Sequence, residues 1–335
     1  MLLLTVLPCP PIAPIVRLFA ELIPSLALGF WIGRIKPHWT RPLATPLVRF
    51  GVPMSVMGLL LKGGLSWNLA GIALTAALAI GLWMLVMQLL PKSWISVVSP
   101  TLQIGCALGN TAYFGIPVAL ALLPAQALPI SIGYDLGATL LAWSLGPFWL
   151  QRQGHPTSGS STIFKDVLVK VAASPATRGL LAALIVQVTQ WSDAVASALW
   201  LPSRIVIVLA LVVVGMRLGA LDTTKGEGQR SLSLTEAAKD GMSTGPTPGQ
   251  QVNAALISKV LLFPCWVWLF CSLLPFSELS RQALVLQAAA PAAISVLLMA
   301  EDAGRDADLA AQLILRSTLL ALVSVPLWWM VVQGF

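Results

Sequence analysis

An all-α polytopic membrane protein is the fold class this sequence predicts, and three observations predict it. Of its 335 residues 57% are hydrophobic and only 10% charged, and the mean hydropathy of +0.85 exceeds what a water-soluble domain carries. Ten apolar stretches, each long enough to cross a hydrocarbon core, fall at 13–33, 43–61, 68–90, 99–123, 127–150, 174–191, 200–220, 254–275, 282–300 and 308–333. With that many spans, only Arg17, Lys62, Arg204 and Arg281 of the 20 Lys and Arg residues fall on one side. The positive-inside rule then makes the other side cytoplasmic and places both termini outside, in a plasma or inner membrane.

The N-terminal MLLLTVLPCPPIAPIV has no basic residue ahead of its apolar run and no small-residue cleavage site, so a cleaved signal peptide is not expected. The first span carries Glu21, about nine residues in, and the fifth carries Asp135 at a similar depth. An ionisable group inside the hydrocarbon is costly, so each is a candidate for taking up and releasing a proton. Asp135 has a plainer reading, in which it pairs with a backbone donor or sits in a wet vestibule.

The fourth span, SPTLQIGCALGNTAYFGIPVALALL, is the stretch on which the reading turns. Gly109, Asn110, Thr111, Gly115 and Pro117 in its middle interrupt a helix and bring polar groups with them. At helical rise Asn110 lies roughly 16 Å from either end, close to the middle of a core about 30 Å thick. Hydrocarbon cannot satisfy exposed backbone groups, so such a break survives only where protein or a water-filled cavity covers it.

A basic connection at 151–173 divides the chain into 13–150 and 174–333, five spans each. Five is odd, so the second half enters from the opposite face, the geometry of an inverted repeat. Its fourth span, 282–300, carries LQAAAPAAIS, with Pro291 roughly 15 Å in from Arg281. Each half thus has its fourth helix broken near the midplane. The small residues around Pro291, and Gly105 with Gly109, let the two backbones cross closely. The segment 222–251 is rich in Gly, Ser, Thr and charge and reads as a flexible cytoplasmic loop, with a short helix around Leu232–Lys239. Its GMSTG fits the serine-nucleophile pattern at Ser243, but no strand precedes it, and the match is taken as chance.

Several function classes are excluded by composition. The basic residues form no stripe interleaved with aromatics, which argues against nucleic-acid binding. Cys9, Cys106, Cys265 and Cys271 lack CxxC spacing, and His38 and His155 belong to no HExxH, so neither a metal site nor a cofactor is expected.

With GNTAYFGIP and AAAPAAISVLLMAEDAG in view, the chain resembles the auxin efflux carrier family, which includes plant auxin exporters and bacterial permeases for small organic acids. RPLATPLVRFGVPMSVMGLL with Pro53 looks like the family's second helix, SPATRGLLAALIV like the start of its sixth, and RSTLLALVSVPLWW like its tenth. The resemblance implies ten helices in two inverted five-helix repeats, with crossing fourth and ninth helices. It further implies a scaffold part, a transport part that moves like an elevator, a homodimer, and substrate held near Gly109, Asn110 and Pro291. Three departures stand out. Ser295 replaces an asparagine common four residues after the proline, and Gly109 stands where plant carriers tend to have proline. The 222–251 loop is longer than expected of a bacterial-type member, while 151–173 is far shorter than the long plant carriers' regulatory loop.

Half-helix N-termini carry unpaired N–H groups and partial positive charge, so two of them meeting make an anion site. The expected function is therefore secondary transport of small organic anions, such as carboxylates or auxin-like acids. Asn110 donates to the carboxylate, and Gly109, Thr111, Pro291 and Ser295 line the pocket. H⁺ or Na⁺ is the possible coupling ion, with backbone carbonyls at the breaks as the Na⁺ ligands. Alternatives remain at this stage. Asn110 as a mere helix cap is one, and a non-transporting sensor on the same fold is another. An intramembrane aspartyl protease is the enzyme alternative, but Tyr134-Asp135 supplies only half of such a site.

Overall fold

The computed structural model describes residues 12–65, 68–89, 97–151, 169, 172, 175–236 and 246–334. Most of the 151–173 connection, residues 237–245 and the side chain of Glu21 lie outside the described residues. The described chain is helical nearly throughout, and each of the ten apolar stretches contains helix. In order, the helices are α1 (Ile12–Ile35), α2 (Thr40–Pro46), α3 (Val52–Gly63), α4 (Asn68–Leu89), α5 (Pro100–Ala107), α6 (Ile116–Leu122) and α7 (Leu128–Gln151). They continue with α8 (Pro175–Gln187), α9 (Ser192–Glu236), α10 (Pro248–Ile257), α11 (Phe263–Ser272), α12 (Glu278–Ala288), α13 (Ile294–Asp302) and α14 (Ala307–Gln333). Among the described residues six continuous helical stretches are long and apolar enough to cross a membrane on their own. The protein is a polytopic membrane protein. Large apolar side chains such as Leu74, Leu89, Ile185 and Leu201 lie exposed on its outside, where lipid and not water is the fitting solvent.

Local sequence explains where these helices start and widen. Ser99, Thr247 and Ser277 each accept a backbone N–H from the first turn of α5, α10 and α12, and Thr247 with Gln250 closes a full capping box. Wide π turns at Leu47–Gly51, Thr111–Gly115 and Ser258–Leu262 lead into α3, α6 and α11. Each of those three helices has proline as its second residue, Pro53, Pro117 and Pro264. Proline lacks the N–H and crowds the carbonyl one turn back, and the wider turn relieves both defects without breaking the helix. α9 runs on to Glu236, into the stretch that the sequence presents as loop. The helix passes through Gly226 and Gly228 on the way, and residues 222–236 contain no proline to stop it.

Two groups of helices pack around the middle of the molecule. α1, α2, α3, α8 and α9 form one group, in which α1 lies along α9 and α3 packs on both α8 and α9. α4 to α7 and α10 to α14 form the other, with α4 along α7. The α1–α9 contact is backbone on backbone. A Cβ at Gly29 would lie 2.0 Å from Val212 O and one at Gly33 2.0 Å from Met216 O; from the other side, one at Gly215 would lie 2.3 Å from Leu26 O and one at Gly219 2.1 Å from Phe30 O. Such closeness needs glycine on both helices. Gly29→Leu is therefore expected to cost about 1–3 kcal/mol, read as a drop in the melting temperature of the detergent-solubilised protein, whereas Gly71→Leu, with open space at its Cβ, leaves it unchanged.

A cavity at the crossing of two broken helices

The two interrupted helices meet at their breaks. α5 ends at Ala107, and the backbone is extended at Leu108 before the turn that leads into α6. α12 ends at Ala288, and α13 does not begin until Ile294. The exposed backbone groups satisfy one another. Asn110 N–H donates to Pro291 O at 2.7 Å, Ala293 N–H donates to Leu108 O at 3.0 Å, and Gly109 pairs antiparallel with Ala292. Ala292 N–H donates to Ser317 Oγ of α14 at 3.0 Å. A two-stranded patch thus closes within protein the polar groups that hydrocarbon would leave unpaired.

The interruption falls at Leu108–Asn110, so Gly115 and Pro117 stand one turn beyond it, inside the second half of the helix. Their roles there are specific. Pro117 is carried by the π turn, and Gly115 makes room for Gln287, whose Oε1 would lie 2.1 Å from a Cβ at that position. Gly115→Val is expected to displace Gln287 and lower the melting temperature by about 2–8 °C, corresponding to roughly 1–3 kcal/mol of overpacking. A circular-dichroism melt checks it.

A cavity of about 190 Å³ opens beside the crossing, between the two groups of helices. Gly109, Asn110, Thr111, Asp135 and Ser295 all line it. Pro291 does not; it stands behind, where its carbonyl holds the Asn110 N–H. The Asn110 side chain is 5% exposed and makes no hydrogen bond to any described residue, so it does not cap its helix and its amide is available to a ligand. Asn110 O, by contrast, is occupied by Phe114 N–H and Gly115 N–H at 3.0 and 3.1 Å. Thr111 Oγ1 donates to Asp135 Oδ1, which ties the start of the second half-helix to α7. The N-terminal ends of both second halves, Asn110–Thr111 and Ala293–Ile294, border this one cavity.

Two cations escaped the sequence reading. Arg217, grouped there with the cytoplasmic loop charges, lines the cavity from α9, with Tyr113 and Glu301 close enough to act on its charge. Among the described residues it has no hydrogen-bond or ion-pair partner. Lys259, grouped the same way, is fully buried next to Gly109. Both lie inside predicted apolar stretches, at 200–220 and 254–275, and that position was the available signal. Among the described lining residues Asp135 is the one carboxylate, so the cavity does not assemble the pair that an aspartyl protease needs.

An all-helical membrane protein with a cavity at an internal helix crossing has an architecture that a carrier can use. Residues 60–329 match the family described as membrane transport protein. The chain belongs to that family, the auxin efflux carriers, which is a family of transporters and not of enzymes. It is also similar to an uncharacterized transporter of Methanothermobacter thermautotrophicus, 25% identical over 230 residues, which covers 68% of this chain and 66% of that relative.

Proposed function

We propose that this chain is a secondary carrier for small organic anions, carboxylates or auxin-like acids, which it holds in the cavity at the crossing. The observation that carries this reading is the lining itself. Two half-helix N-termini, the unengaged Asn110 amide and the Arg217 guanidinium converge on a single mostly apolar pocket. The helix ends and Asn110 give a carboxylate hydrogen bonds, Arg217 offers it charge, and Trp143, Leu298 and their neighbours take its apolar part. Thr111 and Ser295 add hydroxyls at the mouth of each half-helix.

In this reading the chain spans a plasma or inner membrane ten times as two inverted repeats, and pairs as a homodimer through α1, α2, α3, α8 and α9. Those helices form the scaffold. The other group carries the crossing past it, and the position of the cavity between the two groups supports that division. Asp135 is the proton-coupling group on this account. Asp135→Asn keeps an acceptor for Thr111 but removes the ionisable proton, so flux of a carboxylate is expected to lose its response to an imposed pH gradient while its binding persists. Proteoliposome uptake with and without the gradient checks it.

The site itself is tested by protection. Ser295→Cys, in a Cys9→Ser, Cys265→Ser background that leaves only the buried Cys106 and Cys271, is expected to react with a water-soluble maleimide and to be shielded by an excess of the anion that the carrier transports. Labelling that no carboxylate slows would remove the cavity as the binding site.

A further inference from the structure

A third cation inside the apolar stretches, Arg316, neither lines the cavity nor is sealed behind it. It stands nine residues after the start of α14, and Asn253 stands five residues after the start of α10, which packs alongside. Arg316 Nη1 donates to Asn253 Oδ1 at 2.8 Å and Nη2 to Gln312 Oε1 at 3.5 Å, so the two helices are joined through it near their starts. Both amide oxygens are thereby turned to the guanidinium. What the trio leaves over is donors only: Asn253 Nδ2, Gln312 Nε2 and Arg316 Nε have no acceptor among the described residues. Nor does any described carboxylate pair with Arg316. Asp308, two turns back along α14, forms no ion pair with it, and Asp306 Oδ2 accepts a hydrogen bond of 2.7 Å from Ser99 Oγ. A guanidinium in a membrane helix without a counter-charge is costly, and two neutral amides do not supply one.

The surroundings say what would supply that charge. At helical rise Arg316 lies roughly 14 Å along a helix of roughly 40 Å, longer than a hydrocarbon core of about 30 Å, so its long side chain reaches the headgroup layer. Deeper along the same two stretches of helix the surface is apolar and open. Ile257 and Leu261 follow Asn253 at helical spacing, Leu320 and Val323 follow Arg316, and each is between 45% and 61% exposed. We propose that Arg316, Asn253 and Gln312 bind the phosphate of an anionic phospholipid in the leaflet at this end of the molecule, with its acyl chains along the two apolar stripes. In the positive-inside orientation that leaflet is the cytoplasmic one. The stripes are what commit the site to a lipid and not to a soluble anion. None of the three residues lines the transport cavity, and the inference does not depend on what that cavity carries. Its effect falls on the helices that frame the crossing. α10 and α14 both pack on α5, which ends at the break, so a headgroup that bridges the first two braces the third.

The test reads lipid binding and not flux. In dodecylmaltoside, added phosphatidylglycerol is expected to raise the melting temperature of the purified chain about 3 °C above its value with phosphatidylcholine. Arg316→Gln is expected to lose most of that difference, and Arg316→Lys, which keeps the charge without the planar fork, to keep part of it. Arg178→Gln removes an exposed basic residue of α8 and is expected to keep all of it. A wild type that melts alike in both lipids, or an Arg316→Gln that keeps the full difference, would overturn the proposal. So would equal losses in Arg178→Gln and Arg316→Gln, which would mean diffuse surface charge. Inorganic phosphate alone is expected to have no effect, and a rise equal to that from phosphatidylglycerol would overturn the lipid assignment in favour of a soluble anion. Native mass spectrometry of wild type gives a second reading that does not depend on any variant folding. Preferential retention of phosphatidylglycerol from an equimolar mixture with phosphatidylcholine is expected, and equal retention of the two would overturn the proposal.

Discussion

Asn110→Ala is expected to weaken binding of a small carboxylate by about ten- to a hundredfold, the loss of roughly 1.5–3 kcal/mol for a hydrogen bond to a charged group. The fold should hardly notice. What Asn110 contributes to the crossing is main chain, its N–H to Pro291 and its carbonyl to Phe114 and Gly115, and alanine keeps all of it. The side chain itself touches no hydrogen-bonding partner among the described residues, so nothing buried is orphaned when it goes. Asn110→Asp has nearly the same shape and is expected to bind worse than Asn110→Ala, because it puts a carboxylate against the anion's own. Equilibrium binding of a radiolabelled carboxylate, with the melting temperature as a control for folding, separates these outcomes. A helix-capping role would produce the opposite pattern: a large loss of stability and unchanged affinity.

Arg217→Gln is the second substitution with a large expected effect. Removing one partner of a desolvated charge pair costs about 2–5 kcal/mol, which corresponds to a loss of affinity of thirtyfold or more. Arg217→Lys restores the charge but not the planar fork, so it should recover part of that loss and no more. The control is a neutral probe. An amide or alcohol of the same shape as the carboxylate is expected to bind wild type and Arg217→Gln equally. If both probes lose affinity together, Arg217 shapes the cavity and does not read the charge.

Much of this architecture was legible from residue types alone, and the reason lies in the bilayer. The hydrocarbon makes long apolar runs unambiguous, and it turns Gly109, Asn110 and Pro291 in the middle of such runs into conspicuous interruptions. That is why Gly109, Asn110, Thr111 and Ser295 could be named before their meeting at one cavity was seen. What could not be read is where a helix break falls relative to the residues that permit it. Gly115 and Pro117 look like the interruption in sequence, yet a π turn absorbs the proline and the extended residues come earlier, at Leu108–Asn110. The two cations were missed for a different reason. A basic residue a few positions inside a span reads equally well as one that reaches back to the interface, and only packing reveals that Arg217 faces the cavity and that Lys259 is sealed behind it. The glycines that let α1 and α9 touch backbone to backbone were equally silent, because spacing within one helix says nothing of its partner.

The central claim, that an organic anion crosses the membrane through the cavity at the crossing, is tested most directly by counterflow in proteoliposomes. Vesicles preloaded with one member of a panel of mono- and dicarboxylates and indole-3-acetate are diluted into a trace of the same radiolabelled compound, for wild type and Asn110→Ala. The account predicts transient accumulation of at least one anion by wild type and its loss in Asn110→Ala. Saturable binding without accumulation would mean a sensor on a carrier's fold, and accumulation that survives Asn110→Ala unchanged would contradict the placement of the site.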